Sequence, residues 1–173
     1  MQLNKKNHCH LSKQFYIMKE ILSLGVASVL FLGCLKSSNS TPACTDADPA
    51  AEATTMRNFC MANGINYMVD SSGIFYQVLE PGVAPQPNSN SVVTTTYVGE
   101  FLNGHVLDSN LHGYTNNLNR LIPAWQIGLK KIGKGGHIKM VAPSSLCYGC
   151  YGVPPNVPAN AILYFDITLL DVQ

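Results

Sequence analysis

The chain has 173 residues, 46% of them hydrophobic, which is enough for one domain with a substantial core. Lysine and arginine total 11 against 10 for aspartate and glutamate, and charged residues make up only 12% of the chain. This balance cannot supply the basic face that holds a phosphate backbone, so we expect no nucleic acid among its partners. The composition predicts one globular domain with appendages.

Near the start of the chain lies an uncharged, apolar segment. Residues 21–33 (ILSLGVASVLFLG) end directly at Cys34. A helix needs about 20 residues to cross a bilayer, so this segment is too short to span one. It fits the apolar region of a secretory signal, with Lys19 as its positive flank. We therefore expect residues 1–33 to be a signal peptide, with Met18 as an alternative start.

The residues that precede Cys34 resemble a bacterial lipobox. Residues 30–34 (LFLGC) end in a small glycine followed by the cysteine. The resemblance implies cleavage before Cys34 and its lipidation, which would anchor the protein in the bacterial cell envelope, because several acyl chains bind a membrane far better than one. We expect the anchored protein to face the periplasm, and the exterior is the alternative. The alternatives are an ordinary signal peptide followed by a chance cysteine, and a buried core helix. Residues 35–45 are small, polar and contain proline, so we expect residues 34–45 to form a lipidated tether.

The first predicted element after the tether is a short helix, which together with its connector occupies residues 46–72. Asp46 or Asp48 can cap its start, and Pro49 suits the first helical position. Gly64 is a plausible terminator.

Beyond residue 72 the hydrophobic pattern changes to the period of strands. One segment instead has helical spacing, with Trp125, Leu129 and Ile132 on one side. Strands packed around one short helix predict an α+β domain. The strands are predicted at residues 74–79, 92–101, 105–108, 137–142 and 161–172, with a two-residue turn at 103–104 and the helix at 122–132.

Five sequence motifs follow one another through the C-terminal part. They are residues 73–82 (GIFYQVLEPG), 97–109 (YVGEFLNGHVLDS), 121–129 (LIPAWQIGL), 146–158 (LCYGCYGVPPNVP) and 161–167 (AILYFDI). Each alone is weak, but in this order and spacing they resemble the FKBP family of peptidyl-prolyl cis/trans isomerases over residues 73–173. The resemblance implies an α+β, FKBP-like fold: an antiparallel five- to six-stranded sheet wrapped around one short helix, here with an extra N-terminal helix.

The resemblance also implies an apolar pocket that holds a prolyl ring. Leu107, Leu121 and Val157 are implied as residues that bind the substrate. Each implied pocket residue could instead be an ordinary core or turn residue, and only their concurrence favours a site. The implied catalytic residues are Tyr97, Asp108, Ile122, Trp125, Tyr148 and Phe165.

An isomerase of this kind would assist the folding of exported proteins by acting on X-Pro segments. The resemblance implies proline-containing polypeptide clients and no cofactor or metal, and we expect a monomer. A non-catalytic peptide-binding or chaperone module on the same fold is the alternative.

Between Asp108 and Trp125 the chain is several residues shorter than is usual in the family, which disfavours macrolide binding. Tyr114 and Leu118 are the candidates for the aromatic position expected in this segment.

The cysteines of the predicted mature chain raise a second question. With Cys34 lipidated, four remain: Cys44, Cys60, Cys147 and Cys150. An oxidising compartment favours pairing, and of the three possible pairings we favour Cys44–Cys60 with Cys147–Cys150. The C-x-x-C at 147–150 could instead be a thiol-redox pair. Such a pair usually needs a helix N-terminus to lower the thiol pKa, so a disulfide that stiffens the loop is favoured.

Overall fold

The structure is a computed structural model that describes residues 43–173. The predicted signal peptide, Cys34 and most of the predicted tether lie outside the described residues. Within residues 43–173, no helix has the length and apolar character needed to span a membrane.

The first element is helix α1, Pro49–Ala62. The side chain of Asp48 accepts a hydrogen bond from the N–H of Ala50 at 2.9 Å, which satisfies one of the donors that a helix start leaves unpaired. After the helix, Gly64 adopts a φ of +65°, a conformation that favours glycine. The predicted N-terminal helix is confirmed, and its cap is Asp48 rather than Asp46.

Within the described residues, six strands form one antiparallel sheet. The strands are β1 Met68–Val69, β2 Phe75–Glu80, β3 Val92–Phe101, β4 Val106–Asn117, β5 His137–Ala142 and β6 Leu163–Val172. Their spatial order is β1-β2-β5-β6-β3-β4. Strand β6 therefore lies inside the sheet, which agrees with its almost continuously apolar sequence.

The hairpin between β3 and β4 has a longer turn than the sequence predicted. The N–H of Phe101 donates to the carbonyl of His105 at 3.0 Å, so three residues, not two, form the loop. Gly104 is the last of them, with a φ of +82°. A left-handed residue after an ordinary turn is the usual geometry of a three-residue hairpin loop, and it explains the position of this glycine.

Strand β4 runs well beyond its predicted end at Asp108. Residues 109–117 (SNLHGYTNN) are mostly polar and lack the alternation that identifies a half-buried strand. They nevertheless pair with β3, from Ser109 opposite Val98 to Asn117 opposite Val92. Because β4 is an edge strand, its residues need not be buried on both sides, and the apolar pattern is weak there.

The predicted helix at residues 122–132 divides into helix α2, Pro123–Gly128, and a 3₁₀ turn, Leu129–Lys131. The helix packs closely against β5. A Cβ atom on Gly128 would lie 1.8 Å from Sδ of Met140, so any larger residue would require the Met140 side chain to move.

The two faces of the sheet are covered by different helices. Ile138 and Met140 of β5 belong to the core that surrounds α2. Val141, the next residue after Met140, belongs to a second core with Met56 of α1. Because neighbouring strand residues point to opposite faces, one strand serves both cores.

The cysteines pair differently from the favoured prediction. Cys44 and Cys150 form a disulfide, with their Cα atoms 5.8 Å apart, whereas Cys60 and Cys147 are the free thiols among residues 43–173. Both favoured pairs were therefore wrong. Cys60 lies near the far end of α1, about 17 Å along the helix from its first residue, and points into the second core. Cys147 is packed against the core around α2, and Cys150 is bonded to Cys44 instead.

Candidate active site

A cavity of about 210 Å³ opens beside α2, where residues from β3, β4, β6 and the loop after β5 converge. All six residues that the resemblance implied as catalytic line it, and so do Leu107 and Leu121. Val157, which the resemblance implied as a substrate-binding residue, does not line this cavity. Its side chain is buried, and its backbone forms hydrogen bonds with that of Val153.

Trp125 lies at the base of the cavity and is only 5% exposed. The ring of Tyr97 meets the indole at a centroid distance of 4.8 Å and an angle of 81°, and the ring of Phe165 meets it at 5.8 Å and 85°. These edge-to-face contacts are a favourable geometry for aromatic pairs. Within the described residues, the buried indole nitrogen has no hydrogen-bond partner.

Strands β3 and β4 bring a phenol and a carboxylate together at one side of the cavity. The hydroxyl of Tyr97 donates to Oδ2 of Asp108 at 2.6 Å. Burial, followed by this hydrogen bond, raises the pKa of Tyr97 well above its usual value. The phenol therefore stays protonated at physiological pH, and it orients the carboxylate.

Gly99 is a lining residue that the sequence motif contained but did not assign to the pocket. It pairs with Phe165 across β3 and β6. A Cβ atom on Gly99 would lie 3.1 Å from Cε1 of that ring, which is tighter than ordinary contact. The missing side chain therefore allows the phenylalanine ring to lie against the strand and face the cavity.

Besides the buried indole N–H of Trp125, a backbone N–H and a hydroxyl of lining residues have no acceptor within residues 43–173. One is the backbone N–H of Ile122, the residue that precedes the first turn of α2. The other is the hydroxyl of Tyr148, which lies on the loop after β5 and is 37% exposed. Burial, and to a smaller extent the neighbouring Cys147, raises the pKa of Tyr148, so the hydroxyl keeps its proton.

Two further lining residues come from the segment whose structure the sequence predicted least well. Of the two candidates for the missing aromatic, Tyr114 lines the cavity, with its ring 5.9 Å from that of Tyr97, whereas Leu118 is fully buried in the core. Arg120 ends a 3₁₀ turn and is exposed at the cavity. Tyr114 could be predicted as a lining residue, because it is the one aromatic residue of this segment. Arg120 could not be predicted, because it belongs to none of the five motifs.

The thiols of the loop have little redox character. Burial raises the pKa of Cys147 to about 12, so its thiol is protonated at physiological pH and is a poor nucleophile. Its partner in the C-x-x-C pattern, Cys150, is joined to Cys44. This arrangement disfavours the thiol-redox alternative.

The fold and the cavity together define an FKBP-like α+β domain with an aromatic, tryptophan-based pocket. The sequence profile of the family described as FKBP-type peptidyl-prolyl cis-trans isomerase matches residues 84–170. The chain belongs to this family.

Relatives of known name agree with this assignment. The chain is 38% identical over 134 residues to the FKBP-type peptidyl-prolyl cis-trans isomerase FkpA of Escherichia coli strain K12, an alignment that covers 73% of this chain and 47% of that protein. It is 32% identical over 143 residues to FkpA of Aeromonas hydrophila, covering 80% of this chain and 53% of the relative. The chain thus spans about half the length of these curated relatives.

Solved structures show the same fold. The crystal structure of FkpA from Escherichia coli aligns with a TM-score of 0.65 at 37% identity, over 74% of this chain and 61% of that one. A peptidyl-prolyl cis-trans isomerase from Pseudomonas syringae pv. tomato aligns with a TM-score of 0.63 at 27% identity, over 75% of this chain and 98% of that one.

Proposed function

We propose that this protein is a peptidyl-prolyl cis/trans isomerase that assists the folding of exported proteins by binding their X-Pro segments in the aromatic cavity. The observation that carries the proposal is the convergence of Tyr97, Tyr148 and Phe165 on Trp125 from separate parts of the chain. Membership of the FKBP family supports it.

The proposed reaction is rotation about one amide bond. Resonance keeps that bond planar with a barrier of about 18–20 kcal/mol, and X-Pro bonds exchange over tens to hundreds of seconds, which delays folding. The planar amide carries negative charge on its carbonyl oxygen, which water stabilises. An apolar cavity removes this stabilisation, and the twisted amide loses less by the removal. The cavity therefore favours the transition state over the ground state.

In this mechanism the prolyl ring rests on the indole of Trp125. The backbone N–H of Ile122 and the hydroxyl of Tyr148 donate to carbonyl groups of the client and orient it. Both donors lack an acceptor within the described chain, which supports this role. The mechanism requires no nucleophile and no general base.

A protease-coupled assay with proline-containing peptides tests the proposal. Tyr148→Phe removes one hydrogen bond, worth about 0.5–1.5 kcal/mol, and is expected to lower kcat/KM about two- to tenfold. Trp125→Leu removes the base of the cavity and is expected to lower it at least as much. Tyr151→Phe is the matched control, because Tyr151 is 73% exposed and does not line the cavity.

The outcomes of this assay separate the candidate functions. Wild-type rates in both cavity variants would reject the assigned roles. Peptide binding without any isomerisation would instead favour the non-catalytic binding module.

We further propose that Cys34 is lipidated and anchors the protein in the bacterial cell envelope, with the domain facing the periplasm. The proposal rests on the sequence LFLGC at residues 30–34. Expression in bacteria with labelled palmitate is expected to label the wild type and the control Ser37→Ala, but not Cys34→Ala. Label that survives in Cys34→Ala would contradict the proposal.

The domain is proposed to act as a monomer, which light scattering over a range of concentrations would test.

A further inference from the structure

We propose that the segment before and at the start of α1 positions Tyr148 and is thereby a working part of the isomerase site. The inference rests on the proposed isomerase function. We call Cys44, Asp46 and Glu52 the N-terminal clasp, and residues 143–152 the pocket loop. The clasp precedes residue 84, where the match to the family begins, so family membership does not imply this role.

The clasp holds the pocket loop immediately after Tyr148. Cys44 is joined by a disulfide to Cys150, and Oδ1 of Asp46 accepts a hydrogen bond from the backbone N–H of the same cysteine at 2.8 Å. Gly149, between Tyr148 and Cys150 in the sequence, has a φ of +58°. A Cβ atom at this position would lie 2.3 Å from Oδ1 of Asp46. The loop is therefore fitted closely against the aspartate one residue beyond the tyrosine.

The clasp also holds the loop before Tyr148. Oε1 of Glu52, in the first turn of α1, accepts from Oγ of Ser144 at 2.6 Å, and Oε2 accepts from the backbone N–H of Ser144 at 2.8 Å. Ser144 is fully buried. A hydrogen bond to an ionised carboxylate is stronger than one between neutral groups, so this double contact is a firm attachment.

The pocket loop is also held by hydrogen bonds within its own backbone. The N–H of Gly149 donates to the carbonyl of Ser144 at 2.9 Å, and the N–H of Gly152 donates to the carbonyl of Tyr148 at 3.0 Å. The hydroxyl of Tyr148 has no hydrogen bond within the described residues that would hold it. The position of this donor at the cavity is therefore set by the loop, and the loop is held by the clasp.

A donor acts in catalysis only when it is held in the right geometry, and small displacements far from the reacting bond can lower the rate substantially. Loss of the clasp is therefore expected to act through the hydroxyl of Tyr148. Its effect should not exceed the effect of removing that hydroxyl.

The decisive experiment is a double-mutant comparison in the protease-coupled assay. Asp46→Ala, Glu52→Gln and the pair Cys44→Ser/Cys150→Ser are each expected to lower kcat/KM by up to the two- to tenfold loss of Tyr148→Phe. When combined with Tyr148→Phe, they are expected to cause little further loss, because residues that act through one group are not additive. Dithiothreitol should lower the activity of the wild type and leave the paired serine variant unchanged.

Asp48→Ala is the matched control. Asp48 caps α1 between the clasp residues, but its side chain bonds Ala50 and not the pocket loop. This variant is expected to lower the melting temperature while kcat/KM stays at the wild-type value. Clasp variants that retain full activity would overturn the inference. So would clasp variants whose losses are as large in the Tyr148→Phe background as in the wild type, because they would then act by another route.

Hydrogen exchange keeps this test separate from the test of the isomerase itself. Amide exchange in residues 143–152 is expected to be faster in the reduced wild type than in the oxidised wild type, whether or not the protein is an isomerase. An inactive wild type would reject the proposed function, and unchanged exchange in the pocket loop would reject the clasp.

Discussion

Two charged side chains stand beside the aromatic base of the cavity. The carboxylate of Asp108 is engaged by the hydroxyl of Tyr97 at 2.6 Å. Arg120 takes part in none of the ion pairs found within residues 43–173. Its backbone is fixed by the turn Leu118–Arg120, because Leu118 is fully buried in the core. A bound client therefore meets a cation that has no carboxylate partner in the described chain.

This cation predicts a preference among clients. A peptide with glutamate directly before proline is expected to have a kcat/KM about 1.4- to fivefold higher than one with lysine, because an exposed ion pair contributes about 0.2–1 kcal/mol. Arg120→Glu should reverse the order, and added salt should weaken it. Lys130→Glu makes the same change in net charge outside the cavity and should leave the order unchanged. Equal rates for both peptides with the wild type would contradict the prediction.

Among the elements, α2 sets the base of the cavity through its distance from β5. Pro123 begins the helix at a position where the missing N–H costs no hydrogen bond. Gly128 ends it against Met140, which permits the close approach described above. Trp125, between them, is thereby held against the sheet and lines the cavity.

The contact between α2 and β5 predicts a stability change. Gly128→Ala is expected to lower the free energy of unfolding by about 1–3 kcal/mol, because the added methyl group overlaps the sulfur of Met140. In the Met140→Ala background the same change should cost much less, since the methyl group then has room. Urea unfolding of the two single variants and the double variant measures this coupling. An equal cost of Gly128→Ala in both backgrounds would show that the overlap is relieved in another way.

An ion pair also joins parts of the domain that are far apart in sequence. Nζ of Lys131 lies 2.6 Å from Oδ2 of Asp70, a pair separated by 61 residues that joins the turn before β2 to the 3₁₀ turn after α2. The same ammonium group lies 4.4 Å from the ring centre of Tyr76. The hydrogen bond from Lys131, followed by bonds from Ser72, lowers the pKa of Asp70 to about 2.

This ion pair predicts how stability depends on acid. In the unfolded chain the aspartate has a pKa of about 3.9, so above that pH both states are ionised and the stabilisation is complete. Between about pH 4 and pH 2 the unfolded state binds the proton first, and the free energy of unfolding is expected to fall by about 1–2 kcal/mol after solvent screening. Asp70→Asn should lack this component. Urea unfolding at pH 5, 3.5 and 2.5 measures it, and parallel curves for the two proteins would contradict the assignment.

The disulfide predicts a second effect on the whole domain. It joins residues separated by 106 positions and so restricts most of the described chain in the unfolded state. Reduction is expected to lower the free energy of unfolding by about 2–4 kcal/mol. Urea unfolding with and without dithiothreitol measures the difference. The stability of the control Cys44→Ser/Cys150→Ser should be the same with and without the reductant. An equal midpoint for the oxidised and reduced wild type would contradict this expectation.

Most elements could be predicted because their signals are local. The alternation of β3, the apolar run of β6, the proline that begins α1 and the spacing around Trp125 all follow from neighbouring residues. The five motifs also indicated the family and six residues that converge on one cavity, because each motif contributes its own side chain. Strand β4 was predicted too short, since an edge strand does not need an apolar pattern.

The tertiary structure decided what depends on distant parts of the chain meeting. The favoured cysteine pairs were close in sequence, but α1 separates Cys44 from Cys60. The start of this segment lies against the pocket loop, where Cys44 meets Cys150. Tyr114 and Arg120 reach the cavity only because β4 continues along β3. The attachment of the pocket loop to the N-terminal clasp likewise has no local pattern, because a carboxylate and the amide that it accepts from can lie anywhere in a sequence.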